Sequence, residues 1–204
     1  MTIIKISKSK LSIFNSVAKQ LRAGAVVVYP TDTAYALGCD ATNAKAVAEI
    51  FKIKGRRASK ALPIIVTDAR MAKKFFKLTT NNSQLTTRYW PGPLSIVLKA
   101  KKGIAARALD HGTAAVRVPA SKMARELSRL AGCPLIATSA NVSGAPACYS
   151  LAAFLRQAQT MKKRPALALD AGALRRRPAS TIVKVTDDGS IVILRQGPIK
   201  VVSK

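Results

Sequence analysis

Acidic residues are scarce in this chain: 9 Asp and Glu stand against 35 Lys and Arg in 204 residues, a formal net charge of +26 at pH 7. Such an imbalance repels itself in the compact state and draws polyanions. A nucleic acid, a nucleotide or an acidic partner is the physical expectation, although a surface kept soluble by lysine accounts for the excess as readily. Histidine is scarcer still, with only His111, and cysteine is limited to Cys39, Cys133 and Cys148, with no C-x-x-C pair. That leaves too few soft ligands for a zinc site. Three thiols cannot pair completely, so no disulfide framework is expected and the reducing cytosol fits best. Long apolar runs are missing as well. No stretch approaches the roughly 20 residues that span a bilayer, and the lysines of Met1 to Lys10 are followed by no apolar leader segment. A cytoplasmic protein without a membrane partner is expected.

What remains is ordinary globular material. Hydrophobic residues make up 49% and charged residues 22%, enough to fill a core, and the length suits one large domain or two small ones. Ile13, Val17 and Leu21 recur at helical spacing over 12–23, and Gly24 stops that helix. Residues 25–29 form a β-branched run ended by Pro30, a buried strand. Residues 43–53 present Ala46, Val47, Ile50 and Phe51 on one helical face behind Asn43, a candidate N-cap. Further strands are expected at 62–66, 94–98, 114–118, 135–138, 166–169, 181–185 and 191–194. Further helices are expected at 68–77, 83–89, 122–131 and 151–157. Asp187-Asp188-Gly189 marks a hairpin between the last two strands. With no repeat and no linker, the chain reads as one α/β domain around a twisted, mixed sheet flanked by helices. The lysine-rich start, KISKSK, suggests a mobile end.

Several polar clusters fall just past strand ends, where open α/β sheets place their ligands. The first is Pro30-Thr31-Asp32-Thr33, whose hydroxyls and carboxylate either hold a polar ligand or cap their own turn. The second is Lys54-Gly55-Arg56-Arg57 after an amphipathic helix, suited to phosphates and carboxylates and equally to a helix C-terminus. The third is Thr138-Ser139-Ala140-Asn141-Val142-Ser143-Gly144, a small hydroxyl-rich loop and a plausible phosphate cradle, with an ordinary turn as the alternative. Neither G-x-x-x-x-G-K-[ST] nor G-x-G-x-x-G is present. Arg117, inside an apolar strand, needs a carboxylate or a ligand anion, and Arg195 has the same character. His111 sits in a Gly-flanked loop with nothing to make it a triad base, and Cys133 reads as a core thiol. Without a nucleophile or base, the chemistry must come from positioning and charge neutralisation, as in phosphoryl and adenylyl transfer.

Taken in order, YPTDTAYALGCDA, KGRR with KAL, WPGPLSIVL, AAVRVP, PLIATSANVSG, STIV and ILRQGPI closely resemble the YrdC/TsaC family of threonylcarbamoyl-AMP synthases. The likeness spans nearly the whole chain, so one YrdC-like domain over 1–204 is expected, the motif-bearing part at about 11–199, in the short single-domain form. The resemblance implies a sheet with a concave basic face. It implies that L-threonine, bicarbonate or CO2, and ATP give threonylcarbamoyl-AMP and pyrophosphate. The adenylate would then supply a threonylcarbamoyl-transferase complex that modifies adenosine 37 of tRNA. It assigns Lys54 and Arg56 as catalytic cations; Thr31, Arg117 and Ser180 to threonine; and Lys54, Thr113, Ser139, Asn141 and Arg195 to ATP. Mg2+ is implied with ATP, without a dedicated carboxylate cage. Direct tRNA contact is expected from the charge, and an RNA-binding module without synthase activity is the alternative. Arg57 stands where many relatives have proline, and Ala147 where many have serine.

Overall fold

The computed structural model describes residues 1–6, 11–55 and 61–201. The first half of the chain forms β1 (Thr2–Lys5), α1 (Leu11–Arg22), β2 (Val27–Pro30), β3 (Tyr35–Gly38), α2 (Ala44–Lys54), β4 (Ile64–Ile65), α3 (Ala69–Phe75), α4 (Thr80–Tyr89) and β5 (Leu94–Lys99). The second half forms β6 (Thr113–Arg117), α5 (Lys122–Ala131), β7 (Leu135–Ile136), β8 (Thr138–Ser139), α6 (Leu151–Ala158), β9 (Leu167–Asp170), β10 (Thr181–Val185) and β11 (Ile191–Arg195). Helix ends follow their local chemistry. Asn43 accepts from the Ala46 amide at the start of α2, and Gly55 closes it at φ 60°. Ser121 and Gly132 do the same for α5.

The α/β expectation holds, but the strands form two mixed sheets instead of one. Their orders are β1-β9-β2-β3-β8 and β11-β10-β5-β6-β4-β7. The division arises where sequence reading sees one strand, at 135–138. Ile136 pairs with Ile64 in the second sheet, while Thr138 pairs with Leu37 in the first. Between them the Ala137 amide donates to the Pro63 carbonyl at 2.9 Å. One short run of chain thus belongs to both sheets.

Alternation of side chains along the strands gives the first sheet two apolar faces. Val27, Tyr29, Ala36, Leu167 and Leu169 pack with Val17 and Leu21 of α1 and Leu127 of α5. Val28, Tyr35 and Leu37 instead join Ile64, Ile96, Val116 and Val183 of the second sheet, together with Val47 and Ile50 of α2. Gly38 is required at the crossing. A Cβ there would lie 2.1 Å from the Ile136 carbonyl oxygen, which also accepts from the Tyr29 hydroxyl at 2.9 Å.

The start of the chain is more ordered than its lysines suggest. Ile4 and Lys5 pair in parallel with Leu169 and Asp170, and the Ile6 amide donates to the Asp170 carbonyl at 2.8 Å. The rest of the KISKSK segment, 7–10, lies outside the described residues. The expected hairpin forms as β10 and β11, antiparallel, with β10 also parallel to β5. No helix of the described residues is long and apolar enough to cross a membrane.

Candidate functional site

A cavity of about 940 Å³ opens where the sheets part, with walls from both. On the first sheet, the turn between β2 and β3 is built by Thr31. Its hydroxyl donates to the Ala34 carbonyl at 2.6 Å and accepts from the Thr33 and Ala34 amides at 3.2 and 3.3 Å. The self-capping alternative therefore describes Thr31, whose hydroxyl serves its own turn while the residue lines the cavity. The same turn aims Asp32 at Arg117. One guanidinium nitrogen donates to both carboxylate oxygens at 2.9 and 2.8 Å, and the other to the Thr33 hydroxyl at 3.4 Å. Both side chains are about nine-tenths buried. The arginine in an apolar strand thus has a protein carboxylate as its partner, and sequence reading had not paired them.

The TSANVSG loop is organised by Lys54. Its buried ammonium donates to the carbonyls of Ser139 and Asn141 at 2.6 and 2.9 Å and to Asn141 Oδ1 at 2.8 Å. Ser139 Oγ donates to the same Oδ1 at 2.6 Å, and Asn141 Nδ2 donates to the Ala145 carbonyl. Most of the loop's main-chain donors are occupied within the protein. The amides of Asn141, Val142 and Ser143 already donate to Ser139 O, Gln157 Oε1 and Lys54 O. Lys54 therefore stands behind the loop, holding it, while Ser139 and Asn141 face the cavity. Arg56 and Arg57 lie outside the described residues.

The opposite wall comes from the second sheet. Arg195 donates to the Ser180 carbonyl and hydroxyl at 2.9 and 3.0 Å, and Ser180 Oγ lies 3.0 Å from Ser95 Oγ. Burial pulls the Arg195 pKa below its ordinary value, and the nearby charge of Arg117 adds to the effect. Among the described residues Arg195 forms no ion pair. Thr113 closes a tight turn with Asp110, whose carbonyl accepts its hydroxyl at 2.8 Å. The turn puts His111 at φ 45° and Gly112 at φ 75°, with His111 exposed.

Seven predicted residues thus share one cavity: Thr31, Thr113, Arg117, Ser139, Asn141, Ser180 and Arg195. Among the described residues four cations line it, Arg117, Arg177, Lys184 and Arg195, against one carboxylate, Asp110. Sequence reading singled out Asp32 as a ligand holder or a cap but not as the partner of Arg117, and it missed Tyr149, Arg177 and Lys184. These three carry no local signal amid so many basic residues. Ala147 also lines the wall. The three cysteines are buried with their thiol pKa values pushed up by desolvation, unsuited to nucleophilic attack. The cavity offers cations, hydroxyls and shape, suited to holding anions in fixed mutual geometry.

The sequence pattern of the Sua5–yciO–yrdC family, described as telomere recombination, matches residues 19–197. A Methanocaldococcus jannaschii protein with the provisional name threonylcarbamoyl-AMP synthase is 31% identical over 204 residues, covering 98% of this chain and 94% of its own. The threonylcarbamoyl-AMP synthase of Pyrococcus abyssi is 34% identical over 180 residues, or 87% of this chain. This chain spans about half, 52%, of that longer protein. The crystal structure of P. abyssi Sua5 complexed with L-threonine superposes with a TM-score of 0.84 at 30% identity, over 97% of this chain and 58% of that one. E. coli YciO superposes with a TM-score of 0.82 at 25% identity, over 97% and 95% of the two chains.

Proposed function

The chain belongs to the Sua5–YciO–YrdC family, and from that membership we propose that it makes threonylcarbamoyl-AMP and pyrophosphate from L-threonine, bicarbonate or CO2, and ATP. One observation carries the reading. Seven of the residues nominated for threonine and for ATP, scattered from Thr31 to Arg195, converge on one cavity, with Lys54 behind its Ser139–Asn141 loop; among the described residues its charged lining is four cations to one carboxylate. Its volume of about 940 Å³ lies at the upper end for small-molecule sites and suits an amino acid beside a nucleotide.

The neutral amine of threonine attacks CO2, forms the N–C bond of a carbamate and gives up one of its protons to water. A carbamate oxygen then attacks the α-phosphorus of ATP. The bond to the bridging oxygen breaks, and pyrophosphate leaves with that electron pair. Two anions meet in this step, so its barrier falls when fixed cations face them. Threonine lies against Thr31, Arg117 and Ser180, and the Asp32 carboxylate fixes the plane of the Arg117 guanidinium. ATP lies against Thr113, Ser139, Asn141 and Arg195. Lys54 acts on the nucleotide through the Ser139–Asn141 loop that it holds and through its charge; Arg56 supplies the second cation of the pair.

Mg2+ accompanies the triphosphate. The described residues hold no group of three or more His, Cys, Asp or Glu that could cage a metal, and Asp110 is the carboxylate lining the cavity. This donor set fits an ion carried mainly by phosphate oxygens and water, lending charge neutralisation to the leaving pyrophosphate. The reaction belongs in the cytoplasm, where the adenylate passes to a threonylcarbamoyl-transferase complex acting on tRNA. The net charge of +26 exceeds what ATP requires and supports direct tRNA contact. A binding-only module is not favoured, because Lys54 and the Ser139–Asn141 loop are joined as one unit in the cavity wall. Pyrophosphate release from ATP in bicarbonate buffer tests the proposal. It is expected to require threonine, and threonine-independent release or none at all refutes it.

A further inference from the structure

Between β9 of the first sheet and β10 of the second, residues 171–180 run as an extended strap beside the cavity mouth. Two tyrosines pin it. The Tyr35 hydroxyl donates to the Gly172 carbonyl at 2.8 Å and accepts from the Ala171 amide at 2.9 Å. Tyr149 takes hold further along. Its carbonyl accepts from the Leu174 amide at 2.7 Å, and its hydroxyl donates to the Arg177 carbonyl at 3.2 Å. The Arg176 guanidinium lies over the Tyr149 ring, 5.8 Å from its centroid. The consequence is a division of labour among three consecutive arginines. Arg176 is occupied on the ring, Arg175 does not line the cavity, and Arg177 does.

Arg177 forms no ion pair among the described residues. It lines the cavity with Arg195 and Lys184, which likewise form no ion pair among the described residues. An anion carrying several charges offers these cations a shared partner, and a guanidinium fork matches phosphate oxygens bidentately. We propose that Arg177 is a polyphosphate-binding residue of this site, that its anion is the triphosphate of ATP, and that Tyr149 is its positioning residue. The inference rests on ATP being the substrate.

The test uses the full chain and five variants, R177A, R177K, Y149F, R175A and the double variant Y149F/R177A. ATP binding without threonine is measured alongside the KM and kcat of threonine-dependent pyrophosphate release. Because Tyr149 holds the carbonyl and not the side chain of Arg177, R177A leaves the strap anchored, and matching thermal transitions check this. R177A is expected to weaken ATP binding and raise its KM roughly ten-fold or more, the size of a lost charge-assisted contact, with the threonine KM unchanged. R177K recovers part of the loss. Y149F raises the ATP KM by roughly two- to ten-fold and adds nothing further when combined with R177A, as expected if it acts through that residue. R175A removes the same formal charge and stays within two-fold of wild type. Equal effects of R177A and R175A mean a diffuse field and overturn the inference. So does a normal ATP KM in R177A, whether or not its tRNA affinity falls. A wild-type chain that binds no ATP overturns this inference and the proposed function together; wild-type activity with an unaffected R177A overturns the inference alone.

Discussion

Replacing Asp32 with asparagine should destabilise the protein severely while changing only one atom type. The Asp32–Arg117 pair is held by contacts of 2.8 and 2.9 Å between side chains that keep only 7% and 9% of their exposure. Removing one member of a buried pair leaves the other charge desolvated without compensation, a loss of about 3–5 kcal/mol. For a domain of this length each kcal/mol moves the melting temperature by about 2–4 °C, so the transition should fall by roughly 6–20 °C. Circular dichroism melts and urea titration read this directly. The double variant D32N/R117M removes both charges, and its stability should return most of the way toward wild type, because apolar replacement of a buried pair is close to neutral. Pyrophosphate should raise the melting temperature of D32N more than that of wild type, since an anion in the cavity replaces the lost carboxylate opposite Arg117. A D32N loss below about 1 kcal/mol, or a double variant no more stable than D32N, refutes the claim that this pair is a desolvated strut of the site.

Lys54→Met keeps the length of the buried stem but removes the donor to Ser139 O, Asn141 O and Asn141 Oδ1. Ser139 O and Asn141 Oδ1 keep the Asn141 amide and Ser139 Oγ as donors, while Asn141 O loses its partner among the described residues. One buried acceptor left unsatisfied costs about 1–3 kcal/mol, so the variant should melt early and lose pyrophosphate release more than ten-fold, and normal turnover rejects Lys54 as the organiser of the loop. Burial raises the folded pKa of Cys39, Cys133 and Cys148 above the ordinary thiol value of about 8.5. The unfolded chain therefore releases these protons first as pH rises, and the stability due to the neutral thiols is complete below about pH 8.5 and is lost progressively above it. Urea midpoints from pH 7 to 10 should fall accordingly, with the thiols unreactive to a disulfide reagent in the folded protein at pH 8; a flat profile contradicts the assignment. Gly38→Ala should cost about 1–3 kcal/mol or more, since the new methyl meets the Ile136 carbonyl at 2.1 Å, and chemical denaturation measures it.

Elements whose signals are local were legible in the sequence. The bounds of α5 were read correctly because Gly132 closes it, with Ser121 capping its start in the structure, and β10 because its β-branched run is bounded by a turn. Two strands were not. β3 reads Tyr-Ala-Leu-Gly inside a polar motif, and it is a strand because β2 and β8 pair with it on either side. β1 is lysine-bearing and short, and its partner β9 lies more than 160 residues later. The site divides in the same way. Thr31, Thr113, Arg117, Ser139, Asn141, Ser180 and Arg195 were nameable as residues because their motifs follow in a specific order. Their contacts were not, since Asp32 and Arg117 are 85 residues apart, as are Lys54 and Ser139. The loop amides that close on Gln157 and on the end of α2 convert a plausible cradle into a scaffolded wall, and no spacing rule encodes that.

The passage of the chain from one sheet to the other at Ala137 makes the cavity a seam. Thr31, Ser139 and Asn141 sit on one side of it, and Arg117, Ser180 and Arg195 on the other. A ligand lying in the seam works as a rivet through the whole molecule. Any excursion that parts the sheets must first expel it, so its binding energy adds to the global unfolding free energy and not merely to the order of one loop. Protection of backbone amides in β3 and in β10 should therefore rise together when substrates bind, although the two strands lie in different sheets and share no hydrogen bond.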